Sequence, residues 1–136
     1  MTQNSIYVVG SSNTDMVIQS PRLPLPGETI IGGTFFMNAG GKGANQAVAA
    51  ARLGGQVQFI AKVGNDTFGQ QTQQLLLQEG IQIDKISIAP STPSGIALIN
   101  INQEGENSIT VAPGANDLLS SEEVINALQH LKSVDL

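Results

Sequence analysis

The chain has no cysteine, no tryptophan and one histidine, and aromatic residues make up 4% of its 136 positions. Without cysteine there is no disulfide framework, no thiolate zinc site and no cysteine nucleophile, which fits a reducing, cytoplasmic setting. Basic residues are also scarce: six Lys plus Arg face eleven Asp plus Glu, for a formal charge of -5, and no basic cluster occurs. Nucleic acid and anionic membrane surfaces are therefore not expected as partners. No apolar run approaches the roughly 20 residues that a membrane-spanning helix needs. The short run Ile6-Tyr7-Val8-Val9 has the length of a strand, not of a signal peptide.

What is present is a chain with 40% hydrophobic residues and fifteen glycines. Strand-like and helix-like patterns alternate, which predicts an α/β fold with a largely parallel sheet. Ile6 to Val9 is expected as a buried first strand, ended by Gly10-Ser11-Ser12-Asn13, with a short second strand at Met16-Val17-Ile18. Pro21 to Gly27 is a turn-rich connector, and extended structure resumes over Glu28 to Phe36. Its Pro21-x-x-Pro24 pattern is a connector feature in a folded chain rather than a polyproline ligand. Helical spacing predicts helices over Lys42 to Leu53, stopped by Gly54-Gly55, and over Thr67 to Glu79, capped by Asp66, with Leu75, Leu76 and Leu77 turned to the core. Val57 to Val63 is a strand between them. A hairpin is expected over Gly95 to Val111, turning at Gln103 to Glu106, and a last helix starts at Ser120 with Glu123 completing a capping box.

Two features suggest that this is the N-terminal portion of a longer α/β protein. The Lys42 to Leu53 helix is apolar nearly all round, as helices covered on several sides are, and the chain stops at Asp135-Leu136 just after a helix.

The chemically informative segment is Asn38-Ala39-Gly40-Gly41-Lys42-Gly43-Ala44-Asn45-Gln46, a glycine-rich loop opening a helix. Backbone N–H groups of a first helical turn point at whatever lies beyond it. A lysine there opposes the helix dipole by about 0.3–1 kcal/mol, so Lys42 calls for a carboxylate partner or a ligand. Lys42 and Asn45 share a helix face and together suit hydroxyl groups. The alternative is that the glycines only allow tight helix packing. Nucleotide motifs fail by count: a P-loop would need glycine at Phe36 and Ser or Thr at Gly43, and a dinucleotide fingerprint would put Gln46 where a small residue belongs. The second constellation is Asn13-Thr14-Asp15, where two side chains facing the same way match a vicinal diol; the alternative is an ordinary turn. His130, Glu104, Glu106 and Asp117 lack catalytic or metal-ligand spacing and are expected on the surface.

Gly10-Ser11-Ser12-Asn13-Thr14-Asp15, Pro26-Gly27-Glu28-Thr29, Gly40-Gly41-Lys42-Gly43-Ala44-Asn45-Gln46-Ala47, Leu53-Gly54, Val63-Gly64-Asn65-Asp66 and Gly114-Ala115-Asn116 together resemble the N-terminal half of the PfkB-type carbohydrate kinases. Within that family the Gly40 to Ala47 run is closer to the ribokinase branch than to fructokinases or adenosine kinases. The resemblance covers essentially the whole chain, in order and spacing. It implies a ribokinase-like three-layer α/β core with a small β-sheet lid from about 16–36 and 95–111, incomplete in this chain, closing over the sugar and often pairing with another subunit's lid as a homodimer. It implies that Asn13, Asp15, Gly41, Lys42, Gly43 and Asn45 bind the sugar, with apolar contacts from Ala97 and Val111. The implied reaction is ATP-dependent phosphorylation of the 5-hydroxyl of D-ribose, in D-ribose catabolism, with Mg²⁺ and K⁺. The family's Gly-Ala-Gly-Asp-like segment, which carries the catalytic base, does not occur here, so no catalytic, nucleotide or metal residue is assigned and the chain alone is expected to be inactive. A sibling kinase for deoxyribose, a nucleoside or another small sugar is the alternative, as is a non-catalytic sugar-binding or dimerisation fragment.

Overall fold

Apolar runs separated by glycine stops build two sheets, and their different environments explain their different compositions. The computed structural model describes residues 5–131, so the chain end at Asp135-Leu136 lies outside the described residues. In chain order the elements are β1 (Ser5–Val9), β2 (Asn13–Gln19), β3 (Thr34–Gly40), α1 (Lys42–Arg52), β4 (Gln56–Gly64), α2 (Thr67–Gln78), β5 (Ile86–Ala89), β6 (Gly95–Ile101), β7 (Asn107–Ala112), a 3-10 turn (Gly114–Leu118) and α3 (Ser121–Leu128).

The first sheet has the order β1-β4-β5 and is parallel throughout. Strand β4 lies between the other two, and Val57, Phe59, Ile60, Ala61 and Val63 are all buried, as a strand covered on both faces requires. Ala44 and Ala47 of α1 and Leu76 of α2 pack on this strand, together with Ile81. Small residues on α1 let the helix lie close to the sheet.

The second sheet has the order β3-β2-β6-β7. Strand β2 pairs antiparallel with β3 and parallel with β6, which in turn pairs antiparallel with β7. Its strands run over 13–19, 34–40, 95–101 and 107–112, so β2 starts before, and β3 ends after, the 16–36 segment expected. Exposed apolar side chains gather on this sheet, among them Phe35, Met37, Leu98 and Ile109.

Several expectations are corrected. The first strand is not buried: Ile6 and Val9 are 42% and 45% exposed, because β1 is an edge strand paired only with β4 among the described residues. Extended structure does not resume at Glu28; β3 starts at Thr34 and runs to Gly40, so Asn38, Ala39 and Gly40 are strand rather than loop. Only Leu76 of the three consecutive leucines is buried, since neighbouring helical positions are about 100° apart and cannot share a face. Strand β5, four residues long, carries too little pattern to be recognised from sequence. The apolar surround of α1 is likewise uneven, with Ala47 buried and Leu53 89% exposed.

The two caps take the expected form. Asp66 accepts from Gly69 N–H at the start of α2, and Ser120 and Glu123 exchange both bonds of a capping box. Glu123 also accepts from Lys62 Nζ at 2.7 Å, which fastens α3 to β4. Hydrogen bonds from Lys62 and then from Ser120 hold the Glu123 carboxyl at about 2. A depressed carboxyl pKa contributes stability above the ordinary value, and that contribution is lost as pH falls through the folded value. Glu123→Gln is therefore expected to lower unfolding free energy by about 1 kcal/mol at pH 7. In urea titrations the gap between the two proteins should close as pH falls from about 4.5 toward 2.

Candidate functional site

The chain leaves β1 and enters β2 through Gly10-Ser11-Ser12, and this connection lies on the first turn of α1. The approach is backbone on backbone. A Cβ on Gly43 would come within 2.7 Å of Gly10 Cα, and one on Gly10 within 2.9 Å of Gly43 Cα. Ala44 N–H donates to Ser11 O at 3.0 Å. Gly41, the helix N-cap, has φ of 95°, and a side chain there would meet Ser11 O and Ser12 Cα at 2.7 and 2.8 Å. The glycines thus have a packing role, and that packing sets the start of β2 beside the helix N-terminus.

Asn13 and Asp15 do not form a turn; they are the first and third residues of β2 and face the same way. The register places Asn13 between Gly40 and Gly95, and Asp15 between Asn38 and Ala97, with Val111 next beyond Ala97. Aspartate, amide and two small apolar side chains therefore share one row of one face. The Asp15 carboxylate lies over Gly40, where an added Cβ would collide with it. Burial raises its pKa above the ordinary carboxylate value, and no hydrogen bond from the described residues reaches it. Asn13 is held differently: its Oδ1 accepts from Asn116 Nδ2 at 2.9 Å.

Lys42 and Asn45 lie exposed on α1, three residues apart. Among the described residues no carboxylate is within ion-pair distance of Lys42, so the partner its place in the first turn calls for is not found there. Neither residue bonds to Asp15. Asn45 instead borders a cleft of about 700 Å³ between α1 and α2, with Val48, Thr72, Leu75 and the Arg52–Glu79 pair on its walls. Gly41 thus adjoins Asn13 and Gly43 adjoins Gly10 and Ser11, while Lys42 and Asn45 are displayed beside that junction.

Two contributors were not found from sequence. Asn116 stands in the Gly114-Ala115-Asn116 motif, which does not by itself show a partner. Ser94, just before β6, donates from both N–H and Oγ to Asp66, at 2.8 and 2.7 Å, and its Oγ accepts from Gly64 N–H. Burial raises the Asp66 pKa, but these bonds and that from Gly69 outweigh it, leaving the carboxyl below its ordinary value. Glu106, expected to be solvated, accepts from Asn102 Nδ2 at 2.7 Å, which closes the β6–β7 turn. Among the described residues no group of three His, Asp or Glu side chains is placed to hold a metal, and no helix is long and apolar enough to cross a membrane.

Comparison with known proteins places the chain in a family and a fold. The sequence profile of the pfkB family carbohydrate kinases matches residues 3–136. The chain is 44% identical over 132 residues to a ribokinase of Bacillus subtilis, covering 97% of this chain and 45% of that protein. It is 40% identical over 131 residues to a deoxyribokinase of Salmonella typhimurium, covering 96% and 43% respectively. The structure of an Arabidopsis thaliana ribokinase complexed with ribose and ATP superposes with a TM-score of 0.75 at 36% identity, over 85% of this chain and 38% of that one. The chain therefore spans less than half the length of these relatives.

The close approach at Gly40 is directly testable. Gly40→Ala is expected to displace the Asp15 carboxylate, at a stability cost of about 1–3 kcal/mol. NMR titration should show the raised Asp15 pKa moving back toward its ordinary value.

Proposed function

The chain belongs to the pfkB family of carbohydrate kinases, and from that premise we propose that the protein carrying it transfers the γ-phosphoryl group of ATP to the 5-hydroxyl of D-ribose. The observation that carries the reading is the unpartnered Asp15 carboxylate two residues from Asn13 on one strand face, beside the N-terminus of α1. Asp15 accepts hydrogen bonds from two sugar hydroxyls, and a charged acceptor in a partly desolvated site binds them more strongly than a neutral one. Asn13 and Lys42 donate to hydroxyl oxygens, as do first-turn N–H groups around Gly41 and Gly43, while Asn45 both donates and accepts. Ala97 and Val111, in the Asp15 row, pack on the C–H face of the sugar.

The chemistry of the donor set supports assigning the sugar side alone to these residues. Its groups, one carboxylate with amide, ammonium and backbone N–H donors, suit a neutral polyol. ATP, both metal ions and the catalytic base belong, in this reading, to other parts of the protein. Phosphoryl transfer depends on positioning and on electrostatic stabilisation of the moving charge. The 136-residue chain alone is accordingly proposed to be inactive, and the protein cytoplasmic. The second sheet acts as a lid that excludes water, and its exposed apolar side chains pair with a second copy in a homodimer.

A deoxyribose kinase is the second reading, favoured by the 40% identity to the Salmonella enzyme. One hydroxyl separates the two substrates, so relative kcat/KM values for ribose and deoxyribose decide between them. For the protein at its natural length, Asp15→Ala is expected to raise the KM for ribose about 10- to 100-fold, the equivalent of about 1.5–3 kcal/mol for a lost charged acceptor. An unchanged KM overturns the assignment of Asp15.

A further inference from the structure

Asn116 lies 103 residues from Asn13 in sequence, in the 3-10 turn after β7, yet its side chain sits where the second sheet joins the first. Its Oδ1 accepts from Ser12 N–H at 2.9 Å. Its Nδ2 is shared among Ser12 O at 3.1 Å, Pro113 O at 3.0 Å and Asn13 Oδ1 at 2.9 Å. These partners fix the direction of the amide, because only an oxygen can accept the Ser12 N–H and only an NH₂ can meet two backbone carbonyls. With two hydrogens shared among three acceptors, the Asn116 NH₂ still favours an oxygen rather than a second NH₂ on Asn13. The Asn13 oxygen is turned to Asn116, and its NH₂ is left as the group free to face a ligand. Gly95 makes room for the bond, since a Cβ there would collide with both Asn116 Nδ2 and Asn13 Oδ1.

We infer that Asn116 is a positioning residue that locks the Asn13 amide with its NH₂ toward the sugar, so that Asn13 donates to a hydroxyl oxygen while Asp15 accepts hydroxyl protons. The same side chain joins the entry of β2 to the exit of β7, so the orientation of Asn13 is set at the base of the sheet proposed to close over the sugar. The proposal rests on the sugar-site reading for its effect on affinity, but not for the amide orientation itself.

Asn116→Asp keeps the oxygen that takes the Ser12 N–H and replaces the donor by a second oxygen. Asn13 must then turn its NH₂ toward residue 116 and present oxygen to the ligand. In the protein at its natural length, ribose affinity measured by calorimetry should fall about tenfold, with KM raised and kcat little changed. In an Asn13→Ala background the same substitution should add less than about twofold, because its effect runs through Asn13. Equal losses in both backgrounds would mean a general structural role and overturn the proposal.

NMR of the unsubstituted protein reports the orientation without any variant. The Asn116 side-chain amide protons should be protected from exchange and those of Asn13 unprotected until ribose is added. Protected Asn13 amide protons in the sugar-free protein would also overturn the proposal. If Asn13→Ala and Asp15→Ala both leave ribose affinity unchanged while the exchange pattern holds, the sugar-site reading fails and the positioning of Asn13 stands.

Discussion

A helix N-terminus can rest on a strand connection only where neither backbone carries a side chain at the crossing, and Gly10 and Gly43 meet that condition from both sides. The rest of the site depends on this contact. It brings Ser11 O onto the Ala44 N–H, sets Gly41 against Ser11 and Ser12, and so starts β2 at Asn13 beside Gly41. Any side chain at either crossing point would push helix and connection apart by an ångström or more. A displacement of that size is enough to spoil hydrogen-bond geometry at a ligand.

Electrostatics follow the same division between scaffold and site. The Arg22–Glu28 and Arg52–Glu79 pairs are exposed, where an ion pair contributes little. Lys62 is more sheltered than either arginine, and its bond to Glu123 holds α3 to the central strand of the first sheet. Lys42 and Asp15, by contrast, are left without charged partners among the described residues. Surface charges such as Asp84 and Glu122 are also outside any ion pair, but Asp15 differs from them in being partly desolvated, and that leaves a carboxylate with unused hydrogen-bonding capacity beside the start of α1.

How much of this was legible depended on the range of the interaction. Helices α1 and α2, the Asp66 cap and the Ser120–Glu123 box are set by neighbours within four residues, and sequence reveals them. The same holds for Asn13 and Asp15, whose common face follows from the two-residue period of a strand. What could not be read was decided by distant partners. Ile6 and Val9 look like core until the strand order places β1 at an edge. Leu75 and Leu77 are as apolar as Leu76, and only the direction of packing of α2 selects among them. Asn38 becomes a neighbour of Asp15 only because β3 extends to Gly40, past the point where its apolar pattern fades. The Gly114-Ala115-Asn116 motif marks Asn116 but not its role, since its partners Ser12 and Asn13 are more than a hundred residues away.

Those long-range contacts also explain why so polar a site needs so many glycines. Gly40 clears space for the Asp15 carboxylate, and Gly95 clears space for the bond between Asn116 and Asn13. Each absent side chain lets one polar group take a single orientation, acceptor at position 15 and donor at position 13. A hydroxyl both donates and accepts, so two neighbouring hydroxyls match this fixed pair, whereas a phosphate, which only accepts, would meet a carboxylate that repels it. The arrangement thus discriminates by hydrogen-bond polarity as well as by shape, and it does so with side chains whose directions the backbone has already decided.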